Sequence, residues 1–128
     1  MLNRENTFQT NKDKIIEEYN GIKIQELPFV NKINMRIDPN NKDYMSACSK
    51  ILETILPIKP NTYTKNKKMK ILWLGPDEWL VVHNNKNNLL TKLKNEIGYL
   101  EASITDVSEN RTIIRISGKK IFVVFSKF

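Results

Sequence analysis

The stretch that most constrains the fold runs from Leu72 to Val82, LWLGPDEWLVV. Two short apolar runs are separated by Gly75-Pro76-Asp77-Glu78. Short runs rich in β-branched and aromatic residues, split by turn residues, predict two strands of an antiparallel hairpin. Pro76 suits the second position of a type I turn and Asp77 the third. Trp73 and Trp79, the only two tryptophans, flank the turn and can pack across it as apolar anchors. Stacking on a cofactor is the competing use of such rings. Adjacent acids such as Asp77 and Glu78 do acid–base chemistry when their environments separate their pKa values. Neighbours on a strand point to opposite faces, however, so the pair reads as turn residues.

The rest of the chain supplies the sheet and the cover that such a hairpin needs. Residues 1–20 are polar, with a weak helical stretch around Lys14 to Tyr19, and read as an N-terminal arm that orders on a partner. Ile22, Ile24 and Leu27 alternate with polar residues, as do Ile33, Met35 and Ile37, which predicts two strands. After the turn Asp38-Pro39-Asn40-Asn41, the residues Tyr44, Cys48, Ile51, Leu52, Ile55 and Leu56 share one helical face, ended by Pro57. A lysine-rich loop leads to the hairpin. Asn84 to Asn88 then form a turn able to cap a helix through Leu89, Leu90, Leu93 and Ile97, closed by Gly98. Leu100 to Val107 and Thr112 to Ser117 read as strands joined by Ser108-Glu109-Asn110-Arg111. The pattern from Ile33 to Ile116 predicts an α+β fold: an antiparallel sheet with two helices in a βαββαβ (ferredoxin-like) unit. Residues 21–128 read as a single domain. Beyond Gly118, periodicity alone leaves helix and strand open for Lys119 to Phe128. Asn34-Met-Arg-Ile-Asp-Pro is echoed by Ile113-Ile-Arg-Ile-Ser-Gly, which marks the start of a second, incomplete unit at the C-terminus. A sheet cut there leaves an open edge and an uncovered apolar face, as expected of a truncated chain or one completed by a partner.

Composition narrows the function classes. The 128 residues fit one core. No apolar run approaches the ~20 residues of a membrane span, and no signal peptide is visible, so a cytoplasmic protein is expected. A net charge of +7 suggests nucleic acid. Against that, Lys (17), Asn (16) and Ile (16) dominate and Arg is only 4, the signature of AT-rich codons. Readers of phosphate and base edges favour Arg. The run Lys65-Asn-Lys-Lys-Met-Lys70 reads as a solvated loop. His83, the sole histidine, cannot build a metal cluster and reads as a solvent-facing strand end. Cys48, the sole cysteine, reads as a small buried hydrophobe, with a Cys48–His83 dyad the remote alternative. Four scattered glycines leave no phosphate loop. Asp106, Ser108 and Arg111 surround a turn that local hydrogen bonds explain. No catalytic set, cofactor site or metal site emerges, and a binding or structural role follows by elimination.

The tryptophan hairpin resembles the signature of the gamma subunit of heterotetrameric sarcosine oxidase. Gly21-Ile-Lys-Ile-Gln-Glu-Leu-Pro and Asn34-Met-Arg-Ile-Asp resemble that family's first strands, and Leu56-Pro-Ile-Lys-Pro-Asn its loop after the first helix. Ala102-Ser-Ile-Thr-Asp-Val-Ser and Arg111-Thr-Ile-Ile-Arg-Ile-Ser-Gly resemble its later strand pair. The last two also occur in the related aminomethyltransferase-like, folate-binding fold. The resemblance implies a non-catalytic accessory chain, with structural or interface residues at Trp73, Gly75, Pro76, Asp77, Glu78, Trp79, Asp106, Ser108 and Gly118. It implies alpha, beta and delta subunits as partners, with FAD, FMN, NAD, tetrahydrofolate and zinc held there. The family's complex oxidises sarcosine to glycine, yielding hydrogen peroxide and methylene-tetrahydrofolate. Family members continue well past Ser117-Gly118-Lys119-Lys120, so the chain is expected to be truncated. A stand-alone folate-binding module and a basic nucleic-acid-binding domain remain the alternatives.

Overall fold

The computed structural model describes residues 15–84, 88–97 and 102–127. The first fourteen residues of the polar arm, most of the Asn84–Asn88 turn, the Gly98 cap, Leu100 and Phe128 lie outside them. The described chain comprises three helices and antiparallel sheets of three and five strands, within two compact units.

The first unit joins the N-terminal residues to 109–128. Here β1 (Ile15–Tyr19) pairs with β2 (Ile22–Glu26). The expected weak helix at Lys14–Tyr19 is thus corrected to a strand. Asn20 (φ 48°) and Gly21 (φ 79°) both adopt positive φ in the two-residue link. That is the backbone of a type I′ turn, which matches the twist of a hairpin and favours Asn-Gly. Once this turn fixes the register, the β-branched pair Ile15-Ile16 follows into the strand.

The second unit spans Val30–Ser108. Its elements are β3 (Asn31–Ile37), α1 (Lys42–Leu52), β4 (Tyr63–Lys65), β5 (Met69–Gly75), β6 (Glu78–His83), α2 (Leu89–Glu96) and β7 (Ala102–Asp106). The sheet order is β4-β5-β6-β3-β7. The register places Met35 opposite Trp79 and Ile104, and Trp79 opposite Trp73. Alternation then puts Ile33, Met35, Ile37, Ile71, Trp79 and Val81 on one face. They share a single buried cluster with Cys48 and Leu52 of α1 and Leu89 and Leu93 of α2, so both helices cover the same side. Each such side chain contributes about 1.5–3 kcal/mol on burial.

Two differences from expectation lie around α1. Asn41 caps it by accepting from the Tyr44 N–H at 3.1 Å. The helix ends at Leu52 rather than running to Pro57, because Glu53 turns into the left-handed region at φ 54°. The Glu53 N–H donates to the Lys50 carbonyl and the Thr54 N–H to that of Ser49, the pairing of a Schellman motif. The chain therefore reverses, which leaves Ile55 exposed and returns Leu56 to the core. Within the lysine-rich loop, β4 is an unforeseen edge strand. Asn66 creates it: its Oδ1 accepts from the N–H groups of Lys68 and Met69 at 2.8 and 3.0 Å, closing a β4–β5 hairpin.

The late strands also part company. β7 completes the five-stranded sheet, whereas β8 (Ile114–Ser117) pairs with β2 in the three-stranded sheet. The expected β7–β8 strand pair is thus two strands of different sheets. After Gly118 the chain forms a short helix, α3 (Ile121–Phe125), which resolves the open choice between helix and strand.

Gly118 has φ +131°, and a Cβ there would lie 1.8 Å from the Gly21 carbonyl oxygen. Both the backbone conformation and the close approach demand glycine. Gly118→Val should destabilise the β1–β2–β8 sheet by at least about 2 kcal/mol. Hydrogen exchange at the β2 and β8 amides reads this directly, and unchanged protection there would contradict it.

Candidate functional site

The hairpin turn is a two-residue link, Pro76-Asp77, between Gly75 and Glu78. Neither residue has positive φ. Such a turn untwists a hairpin relative to the primed types. The sheet accommodates it with a register shift between Trp73 and Gly75, which leaves Leu74 as the extra residue. The Asp77 carbonyl accepts from the Ile37 N–H at 3.0 Å and ties the turn to the end of β3.

The two acids have separate occupations. Asp77 Oδ1 sits 3.7 Å from Arg36 Nη2, a solvent-exposed pair contributing little. Glu78 Oε2 accepts from Asn34 Nδ2 at 3.1 Å. Nothing makes them act on a common atom.

The tryptophans also diverge. Trp79 is 0% exposed, and its Nε1–H donates to the Pro57 carbonyl at 2.7 Å. That bond fastens the loop after α1 to the sheet. Trp73 is half-buried, and its Nε1 is shielded with no partner among the described residues. An unmade bond of this kind costs about 1–3 kcal/mol.

A second polar locus lies where β3 begins and β7 ends. Asp106 Oδ1 accepts from the Ser108 N–H at 2.9 Å, forming a local turn. Ser108 Oγ accepts from the Lys32 N–H at 2.8 Å and donates to the Lys32 carbonyl at 3.3 Å. Lys32 Nζ donates to the carbonyls of Val30 and Ser108 at 2.9 and 3.1 Å. Asp106-Val107-Ser108 is thus a clasp that ends the β3–β7 ladder. Arg111 stands exposed outside it. Sequence reasoning missed Lys32, because a lysine at an outward strand position carries no sign of being only 2% exposed.

His83 also departs from expectation. It is 6% exposed rather than solvent-facing, because its odd position on β6 puts it on the helix-covered face with Trp79 and Val81. It lines an open depression of about 270 Å³ with Asn31, Thr91, Asp106 and Ser108. Cys48 is fully buried, and burial pushes its thiol up to about 12. A nucleophilic cysteine requires the opposite shift, which leaves the dyad without chemical basis. Among the described residues no three His, Cys, Asp or Glu side chains gather to hold a metal, and no helix is long and apolar enough to cross a membrane.

No family model matches the chain. Individual relatives do. The sarcosine oxidase gamma subunit of Corynebacterium sp. strain P-1 is 25% identical over 107 residues, which is 83% of this chain. That of an Arthrobacter species is 26% identical over 108 residues, or 84%. The chain is a homologue of sarcosine oxidase gamma subunits. It spans about half their length, 52% and 53% respectively. A chain of the heterotetrameric sarcosine oxidase from Corynebacterium sp. U-96, in complex with pyrrole 2-carboxylate, shares the fold at a TM-score of 0.74. The superposition covers 91% of this chain and 60% of that one, at 22% identity. In this gamma homologue the hairpin and the clasp are both framework features.

Two tests follow. Trp79→Ala should cost about 3–5 kcal/mol by emptying the core, and Trp79→Phe about 1–2 kcal/mol by removing the bond to Pro57. Urea denaturation of both variants checks this; equal losses would mean the indole N–H contributes nothing. Lys32 has its pKa lowered from 10.5, first by desolvation and against an opposing pull from Asp106. Below the folded-state pKa the full cost of burying its charge applies. As pH rises from there towards 10.5 the unfolded chain holds more proton, so stability should rise. Denaturation midpoints across that window should climb in the wild type relative to Lys32→Met, and parallel curves would refute the assignment.

Proposed function

We propose that this chain is an accessory, non-catalytic gamma-type subunit of a multi-subunit sarcosine oxidase. The observation that carries the reading is 25–26% identity with curated gamma subunits across more than four-fifths of the chain. The engagement of the signature side chains supports it: Trp79 packs and bonds, Asp77 and Glu78 brace the turn, and Ser108 closes a strand pair.

In this reading sarcosine is oxidised to glycine on partner subunits, with hydrogen peroxide and methylene-tetrahydrofolate as products. FAD, FMN, NAD, tetrahydrofolate and zinc belong to those partners, and the complex is cytoplasmic. The alpha and beta subunits meet this chain, with delta in the same assembly. Trp73, Gly75, Pro76, Asp77, Glu78, Trp79, Asp106, Ser108 and Gly118 serve shape rather than chemistry. The Val30–Ser108 unit is ferredoxin-like, and β8 with α3 opens a second unit of the same kind. That repeat would account for the echo between Asn34-Met-Arg-Ile-Asp-Pro and Ile113-Ile-Arg-Ile-Ser-Gly.

Co-expression with the alpha, beta and delta subunits of the same organism tests the proposal. The chain should co-purify with them stoichiometrically, and Asp77→Asn with Glu78→Gln should leave sarcosine turnover within about twofold. A chain that elutes alone would defeat the reading. A 100-fold loss of turnover in the double variant would defeat its non-catalytic part.

A further inference from the structure

The segment from β8 through α3 exposes apolar surface that a folded chain ordinarily buries. Phe122 is 85% exposed, and Val123, Phe125 and Ile114 stand beyond 40%. Contiguous exposed apolar residues mark interaction surfaces, and aromatic side chains are the usual anchors of such surfaces. Among the described residues β8 pairs with β2 alone, so its other edge carries no strand. Open edges accept extended segments through main-chain hydrogen bonds. Around these residues Arg111, Arg115, Lys119, Lys120 and Lys127 are all exposed, while Glu109 is the only acid from position 109 to 127.

We propose that this face docks a partner subunit through an extended apolar segment with acidic flanks. Its backbone adds to the edge of β8, its apolar side chains cover Phe122 and Phe125, and its acids meet the lysines. The proposal rests on the accessory-subunit reading and names the surface that reading needs.

Charge selects this occupant over the alternatives. A second copy docked face to face would set one cationic rim against another, and like charges across an interface oppose association. A lipid surface would have to be held by a helix of five residues, whereas interfacial helices are commonly several turns long. An acidic, apolar strand satisfies the aromatic side chains, the open edge and the positive rim together.

The test uses the full chain co-expressed with the other sarcosine oxidase subunits of the same organism. Amides of β8 should exchange at least about tenfold slower in the complex than in the free chain. The double variant Phe122→Ser/Phe125→Ser should bind at least about 30-fold more weakly, as loss of interface anchors does. Lys119→Glu/Lys120→Glu should weaken binding about tenfold, and added salt should do the same to the wild type. Far-UV circular dichroism establishes that each variant folds. Wild-type affinity in both variants, or unprotected β8 amides in an intact complex, overturns this surface while the subunit reading stands. A wild-type chain that fails to enter the complex overturns both. Phe122-dependent binding to phosphatidylserine vesicles, or a Phe122-dependent homodimer in sedimentation, overturns the partner class.

Discussion

The burial of Trp79 organises the Val30–Ser108 unit. It is the largest fully buried side chain, and it sits opposite both Trp73 and Met35. A tryptophan in a core needs a partner for its N–H, and the Pro57 carbonyl provides one. That requirement reaches back to α1. A helix continued to Pro57 would carry the chain away from the indole; the Schellman turn at Glu53 reverses it so that Leu56 and Pro57 meet the sheet. One hydrogen bond therefore accounts for where a helix stops, why Ile55 is left exposed, and how the loop before β4 is held.

The two ends of the sheet are secured differently. At one end the Asp77 carbonyl takes the Ile37 N–H, so the hairpin turn is stitched to β3. At the other, Lys32 and Ser108 exchange backbone and side-chain hydrogen bonds. The buried lysine gives up hydration and obtains two carbonyl acceptors, with Asp106 partly offsetting the desolvation. Both residues of the Asp-Val-Ser motif that looked chemical act as fasteners. This is consistent with a chain whose contribution to a larger enzyme is its surface.

Much of the framework was legible in the residues themselves. Alternation at Ile33, Met35 and Ile37, the apolar stripe through Cys48 and Leu52, and the LWLGPDEWLVV hairpin all reflect local rules of period and turn chemistry. The same rules misled at Lys14–Tyr19, where a helical pattern in five residues yielded to the Asn20-Gly21 turn. They were silent on β4, because Tyr63-Thr64-Lys65 is too short to declare itself until Asn66 closes the hairpin. His83 shows the limit in one residue: parity along β6 placed it on the inner face, yet only the cover from the helices makes that face dry.

By itself the sequence determined the α+β class, the tryptophan hairpin and the likeness to gamma subunits, because each is carried by residues close together in the chain. Tertiary structure alone decided that β7 and β8 belong to different sheets, that Lys32 is buried beneath Ser108, and that Gly118 must be glycine to pass Gly21. Those facts depend on contacts between residues 76 to 97 positions apart in the chain. No local pattern encodes which distant strand offers the better edge, or which polar side chain will lose its water when the sheets form.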